Sequence, residues 1–178
     1  YLQELVAQMV SAEHAVFAPE RWAGYEVIVT DASCVERPGA KGTTARLHYA
    51  LRLTDLRPVE AHITDEKGGE TLRRFHPELG QLWIGDRGYA NAPSIAHATA
   101  RKAAVLIRHN RWSLPLYDIH EKLLDVRKKL ERLGKPGRVR EWKAWVHPDK
   151  GKPIAGRLIA VRLPADKASE ARKRVRKE

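Results

Sequence analysis

Val27-Ile28-Val29-Thr30-Asp31-Ala32-Ser33-Cys34 is an apolar, β-branched run that delivers an aspartate at its end, and Gln81-Leu82-Trp83-Ile84-Gly85-Asp86-Arg87-Gly88-Tyr89 repeats that ending 55 residues later. β-branched and aromatic side chains suit a pleated strand. Two such strands, if neighbours in one sheet, hold their carboxylates side by side, which is a way to build a divalent-metal site on a rigid scaffold.

Working outward, Leu47, Tyr49, Leu51 and Leu53 alternate with Arg46, His48, Ala50 and Arg52, and Val59, Ala61 and Ile63 resume the alternation after Leu56-Arg57-Pro58. A period of two predicts strands, so the first run and these two make an antiparallel meander. Residues 70–75 read as one or two helical turns stopped by Pro77. After the second acidic strand, Asn91-Ala92-Pro93 opens a helix, because proline fits the first turn, where an N–H has no helical partner. Ala104-Val105-Leu106-Ile107 then reads as a strand buried on both faces, entered by a parallel crossover.

Further on, Asp118 and Glu121 form a capping-box pattern, with Ile119, Leu123, Val126, Leu130 and Leu133 stepping along one helical face and Gly134 as the stop. Residues 139–147 and 154–163 read as a hairpin, and from Ala165 the chain is helical and basic. Leu2, Leu5, Val6 and Met9 recur at helical spacing before the first strand. The start at Tyr1 and the charged helical ending suggest a piece of a longer chain.

With 178 residues the chain is long enough for one domain with a sizeable core and an insertion. Lys and Arg number 33 against 22 Asp and Glu, a net charge of +11 that favours a polyanionic partner. No apolar run approaches the roughly 20 residues that span a membrane, and no signal-peptide pattern opens the chain. Cys34 is the single cysteine, which excludes disulfides and thiolate zinc sites within one chain and fits a reducing cytoplasm. It reads as a small buried residue.

Three strands, a short helix, a fourth strand, a helix and a fifth strand is the order of the ribonuclease-H-like fold. The strings VTDASCVERPG, HITDEKGGETLRRF and LWIGDRGYA, followed by VLIRHN, resemble the catalytic domain of bacterial insertion-sequence transposases of the DDE type, in the subgroup with a β-rich insertion before the last acid. The resemblance implies an α/β mixed sheet, three antiparallel strands then parallel ones, flanked by helices and carrying an inserted β-hairpin. It divides the chain into a helical lead-in at 1–26, a ribonuclease-H-like core at 27–110, a helix plus β-insertion at 111–164 and the start of a basic helix at 165–178. The implied setting is a bacterial cytoplasm, with nucleoid association when bound.

The resemblance makes Asp31 and Asp86 the first two acids of a catalytic triad. With a third acid they would hold two Mg²⁺ or Mn²⁺ ions about 3.5–4 Å apart, activating water or a 3′-hydroxyl against a phosphodiester and stabilising the leaving oxygen. The family's third acid sits in a helix framed by Tyr, Arg and Lys, and no tyrosine fits: Tyr117 has His120 three positions on, and Tyr89 has Ala92. Glu178 lacks that frame, so the third acid is expected outside this chain, which by itself should hold metal weakly and not cut. Glu70 occupies the place of a metal-binding glutamate of ribonuclease H after the third strand, against the alternative of a helix-start charge facing first-turn amides. Asp65 and Glu66 read as solvated turn residues, and His48 and His109 as polar strand or loop residues, since no zinc spacing is present.

Residues 101–143 hold 13 basic and 5 acidic side chains. The candidates for DNA contact are Arg87, Arg108, Arg138, Arg140 and Lys143. Trp142 or Trp145, in the inserted hairpin, would stack on a flipped base, the alternative being that both pack against the core. Three functions follow: a DNA transposase catalytic domain acting on transposon ends and target duplex as a homodimer in a synaptic complex; a ribonuclease-H-like nuclease using Asp31, Glu70 and Asp86; or a non-enzymatic basic DNA-binding module.

Overall fold

The computed structural model describes residues 22–39 and 41–175, so the expected helix at 2–9 and Glu178 lie outside the described residues. The chain divides into two compact units, residues 1–114 and 115–178.

In the first unit, β1 (Glu26–Val35), β2 (Ala45–Arg52), β3 (Pro58–Asp65), β4 (Gln81–Gly85) and β5 (Ala104–Ile107) form one sheet in the order β3-β2-β1-β4-β5. The first three strands pair antiparallel, whereas β4 runs parallel to both β1 and β5. This mixed α/β sheet is compatible with the architecture expected from the sequence. Helix α1 (Ala92–Ala100) makes the crossover from β4 to β5. Asn91 caps it, accepting from the Ser94 amide at 2.9 Å, and Pro93 lies in its first turn.

One face of the sheet packs Ile28, Ala50 and Trp83 against Leu72, Phe75, Tyr89, Ala98 and Ala103. Burying such side chains contributes roughly 1.5–3 kcal/mol each, and this core fixes the strand ends that carry the acids. Ser94 on α1 is fully buried and accepts from the Leu72 amide at 3.0 Å, tying the helix to the segment after β3.

Two local expectations change. β5 is not buried on both faces: it is the last strand of the sheet and Leu106 is exposed. The helical turns expected over 70–75 shrink to a 3₁₀ turn, Leu72–Arg74, because the Thr71 side chain accepts from the Arg73 amide and starts the turn there. Glu70 therefore precedes the turn instead of sitting in it.

In the second unit, β6 (Val139–Val146) and β7 (Ile154–Val161) form the expected antiparallel hairpin. The helix expected from Asp118 onward begins later, as α2 (Val126–Glu131), capped by Asp125 through the Lys128 amide at 3.0 Å. Asp118 instead accepts from the amides of His120 (2.8 Å) and Lys122 (3.0 Å), and Glu121 takes a left-handed φ of 58°. These contacts close a tight turn that no helix can pass through. A last helix, α3 (Ala165–Val175), follows the hairpin.

Candidate active site

β1 and β4 align in a parallel register that runs Glu26 to Gln81, Val27 to Leu82, Ile28 to Trp83 and Val29 to Ile84. Each pair is separated by 55 positions, the same separation as Asp31 and Asp86. The two aspartates thus stand in step, each two residues beyond the last paired rung: Asp31 lies within β1, which runs on to Val35, and Asp86 directly follows β4. Both are exposed.

Each aspartate is oriented in the same way. Asp31 Oδ1 accepts from the Ala32 amide at 2.8 Å and Asp86 Oδ1 from the Gly88 amide at 2.7 Å. Asp31 Oδ2 also accepts from the Tyr49 hydroxyl at 3.3 Å. One oxygen of each carboxylate is thereby committed to a backbone amide, which fixes the side chain's orientation. Asp86 also caps the 3₁₀ segment Arg87–Tyr89 through that bond.

The Gly85-Asp86-Arg87-Gly88-Tyr89 element has a physical reading residue by residue. A Cβ at Gly85 would crowd the Tyr89 ring at 3.1–3.2 Å. Tyr89 is 0% exposed and forms the floor beneath the acids. Its hydroxyl lies 3.3 Å from Thr30 Oγ1, which donates to the Tyr49 carbonyl at 3.1 Å. Burial pushes the Tyr89 phenol up to about 12; the negative charges of Glu70, Asp31 and Asp86 act in the same direction, and the Thr30 contact opposes them. A Cβ at Gly88 would fall on Glu70 Oε2 and 3.1 Å from Asp86 Oδ1. Gly88 is therefore the opening through which Glu70 approaches Asp86.

Glu70 is partly buried, and its carboxyl is raised above the usual range by burial, then by Asp86 and Asp31, with Arg46 opposing. It faces the two aspartates and is not a helix-start charge. The three carboxylates thus share one field at one end of the sheet. Among the described residues, no group of three or more His, Cys, Asp or Glu side chains is placed to hold a metal ion. The donor set is all hard oxygen, the chemistry of Mg²⁺ or Mn²⁺. Asp31, Asp86 and Glu70 are the residues that would hold such an ion, and bound there it would supply positive charge to a phosphodiester oxygen.

The remaining candidates fall in different places. Arg87 is exposed directly after Asp86. Arg108 is exposed just past β5, its amide bonded to the Gly85 carbonyl at 3.2 Å. Arg138, Arg140, Trp142, Lys143 and Trp145 belong to the second unit. There Trp142 and Trp145 are half-buried and three positions apart on β6, so they face opposite sides of the hairpin. Cys34 is exposed, contrary to expectation. β1 outruns β4 after Val29, so its last residues are paired only with β2 and lose their cover on one side.

His48 is a strand residue, fully buried and bonded through Nε2 to Thr64 Oγ1 at 3.0 Å. Burial and the charges of Arg74, Arg46 and His62 hold it below its ordinary value. His109 is a loop residue that contacts the Leu114 carbonyl at 3.0 Å. Asp65 is not a turn residue: it is exposed at the end of β3, paired with Ala45, and accepts from the Lys67 amide in the turn that follows. Sequence reasoning missed Thr30, Tyr49, Tyr89 and Arg46 around the acids; the glycine spacing in the 85–89 element was the available signal for Tyr89.

No family model and no solved structure matches the chain. It is 28% identical over 184 aligned residues to the proteins named as transposase InsL of insertion sequence elements IS186A and IS186B of Escherichia coli K12, across 98% of this chain and 48% of theirs. It is equally similar to the transposase for insertion sequence element IS421 of Escherichia coli, across 47% of that protein. The chain spans about half the length of these curated relatives, which support a transposase-related function.

Proposed function

We propose that this chain carries two acids of a DDE-type transposase in a ribonuclease-H-like domain, and that the complete protein cuts and joins DNA at transposon ends by metal-dependent phosphoryl transfer. The observation that supports this most is the four-rung parallel register that sets Asp31 beside Asp86. Asp31 and Asp86 hold Mg²⁺ or Mn²⁺ through the oxygens not committed to backbone amides. Tyr89 and Thr30 keep the strand ends from shifting, and the basic residues Arg87 and Arg108 neutralise the phosphates on either side. The partners are duplex DNA and a second copy of the protein in a synaptic complex. The third acid of the family pattern is supplied by sequence other than these 178 residues.

A second reading has its own observation. A Cβ at Gly88 would fall on Glu70 Oε2 and lie 3.1 Å from Asp86 Oδ1, so Glu70 lies against the 85–89 element, and Asp31, Glu70 and Asp86 would then make a three-acid nuclease site without further chain. The non-enzymatic module makes the acids merely structural.

Calorimetric titration with Mn²⁺ separates these. Wild type binds the ion, and the Asp31→Asn/Asp86→Asn double variant loses at least about tenfold in affinity, since removing two ligand charges costs more than 1.4 kcal/mol. Equal affinity in the two proteins would rule out the acidic site.

A further inference from the structure

Trp112 is 81% exposed, an unusual position for a side chain that gains so much from burial. Its exposure does not come from a loose loop. The Trp112 amide donates to Asn110 Oδ1 at 3.1 Å, the Leu114 amide to the Asn110 carbonyl at 2.9 Å, and Ser113 Oγ to the Ala90 carbonyl at 2.7 Å. His109 contacts the Leu114 carbonyl, and Leu114 itself is buried. A pinned loop thus holds an indole ring out in water.

The loop's position matters as much as its rigidity. It leaves the sheet after Ile107, which pairs with Gly85, the residue before Asp86. Trp112 is therefore held on the same end of the same unit as the acids, one strand over. The Arg111 guanidinium carbon sits 4.3 Å from the centre of the Trp112 ring, so one face carries a cation. With Arg111 against the ring and Arg108 exposed four residues earlier, the loop combines an aromatic face with phosphate-binding charge, the pairing that unpaired nucleotides require.

We propose that Trp112 stacks on an unpaired base of a DNA strand whose backbone runs past Arg111 and Arg108 toward Asp86. This rests on the DNA-processing reading above. It assigns to the edge of the sheet the stacking role that sequence reasoning gave to the hairpin tryptophans. Stacking on one aromatic contributes enough for roughly a tenfold change in affinity.

The test uses the 178-residue chain in EDTA with two short DNA duplexes, one fully paired and one ending in an unpaired 2-aminopurine nucleotide. Wild type should bind the unpaired end about tenfold more tightly and quench the 2-aminopurine. Trp112→Ala should lose both the preference and the quench while binding the paired duplex as before, and Trp112→Phe should keep both. Preference and quench persisting in Trp112→Ala would overturn the proposal, as would an equal loss on both duplexes or a changed oligomeric state with DNA preference intact. Wild type binding neither duplex would overturn the DNA-processing reading along with it, whereas DNA binding indifferent to Trp112 would overturn the stacking role alone.

Discussion

The acid-bearing end of the five-stranded sheet and the β6–β7 hairpin both combine charge with aromatic and apolar side chains, but they support them in opposite ways. At the sheet end, the fully buried ring of Tyr89 lies against the charges, and the buried rings of Trp83 and Phe75 belong to the core of the same sheet. On the hairpin, Val139, Ile159 and Val161 remain exposed, and the ionic contact is a surface pair of Arg157 with Glu141 at 3.1 Å. Exposed pairs of that kind contribute little, typically below about 1 kcal/mol. Charges that must keep a fixed geometry are set on a packed floor, whereas charges on a ribbon need only be present.

Three measurements test whether the packed floor and the open ribbon differ in this way. The largest effect belongs to Tyr89. A phenol held near 12 in the fold and near its ordinary value of about 10 in the unfolded chain keeps its proton longer when folded. Its stabilisation is fully present below pH 10 and is lost as pH rises through 12, by up to about 3 kcal/mol. Thermal unfolding between pH 9 and 12 should therefore show a steeper fall for wild type than for Tyr89→Phe, and parallel curves would mean the floor is not closed.

Next comes Gly88→Ala. The new methyl would fall on Glu70 Oε2, so it should cost about 1–3 kcal/mol and weaken Mn²⁺ binding together. Gly137→Ala, in the second unit, meets nothing within 4 Å but sits at φ 80°, so it should cost about 1 kcal/mol through the backbone and leave Mn²⁺ binding unchanged. Denaturant titration and calorimetry on the pair read both quantities. Equal metal affinity in the two variants would remove Glu70 from the site.

The smallest expected effect is that of Glu70→Gln. Its raised carboxyl pKa means that the charged form is disfavoured in the fold, a penalty absent below the ordinary carboxyl range and present at neutral pH. Removing the charge should raise Tm at pH 7 by about 1–2 °C, once solvent screening is allowed for. Under the three-acid reading it should also abolish Mn²⁺-dependent nicking of DNA. A stability gain paired with lost binding marks a residue placed for a ligand.

Much of the sheet was legible because strand signals there are strong and local: β-branched runs at 27–29, strict alternation at 46–53, and Pro93 at a helix start. Residues 115–125 were not, because Ile119 and Leu123 imitate a helical face while Asp118 bonds its own following amides. The edge position of β5 was also hidden, since an apolar run of four reads the same in the middle of a sheet as at its margin. Asp31 and Asp86 could be paired from their spacing, as both end apolar runs. Glu70 could be named from its place after the third strand, but its approach to the 85–89 element could not, because it depends on what Gly88 lacks. Trp112 was passed over because nothing in its neighbours reports exposure.

The shared register of β1 and β4 also sets which changes of chain length the acids can survive. The interval of 55 is a property of the paired register of two strands, not a measured tether. Extra residues in the turns at 36–44 or 66–69 would lengthen the interval and leave the rungs, and so the two aspartates, where they are. A single extra residue between Val27 and Asp31 would instead exchange the faces of Thr30 and Asp31, dropping a carboxylate into the core and lifting a hydroxyl to the surface. Two neighbouring stretches of this chain thus differ sharply in their tolerance of insertion, and the boundary between them is the last rung of the ladder.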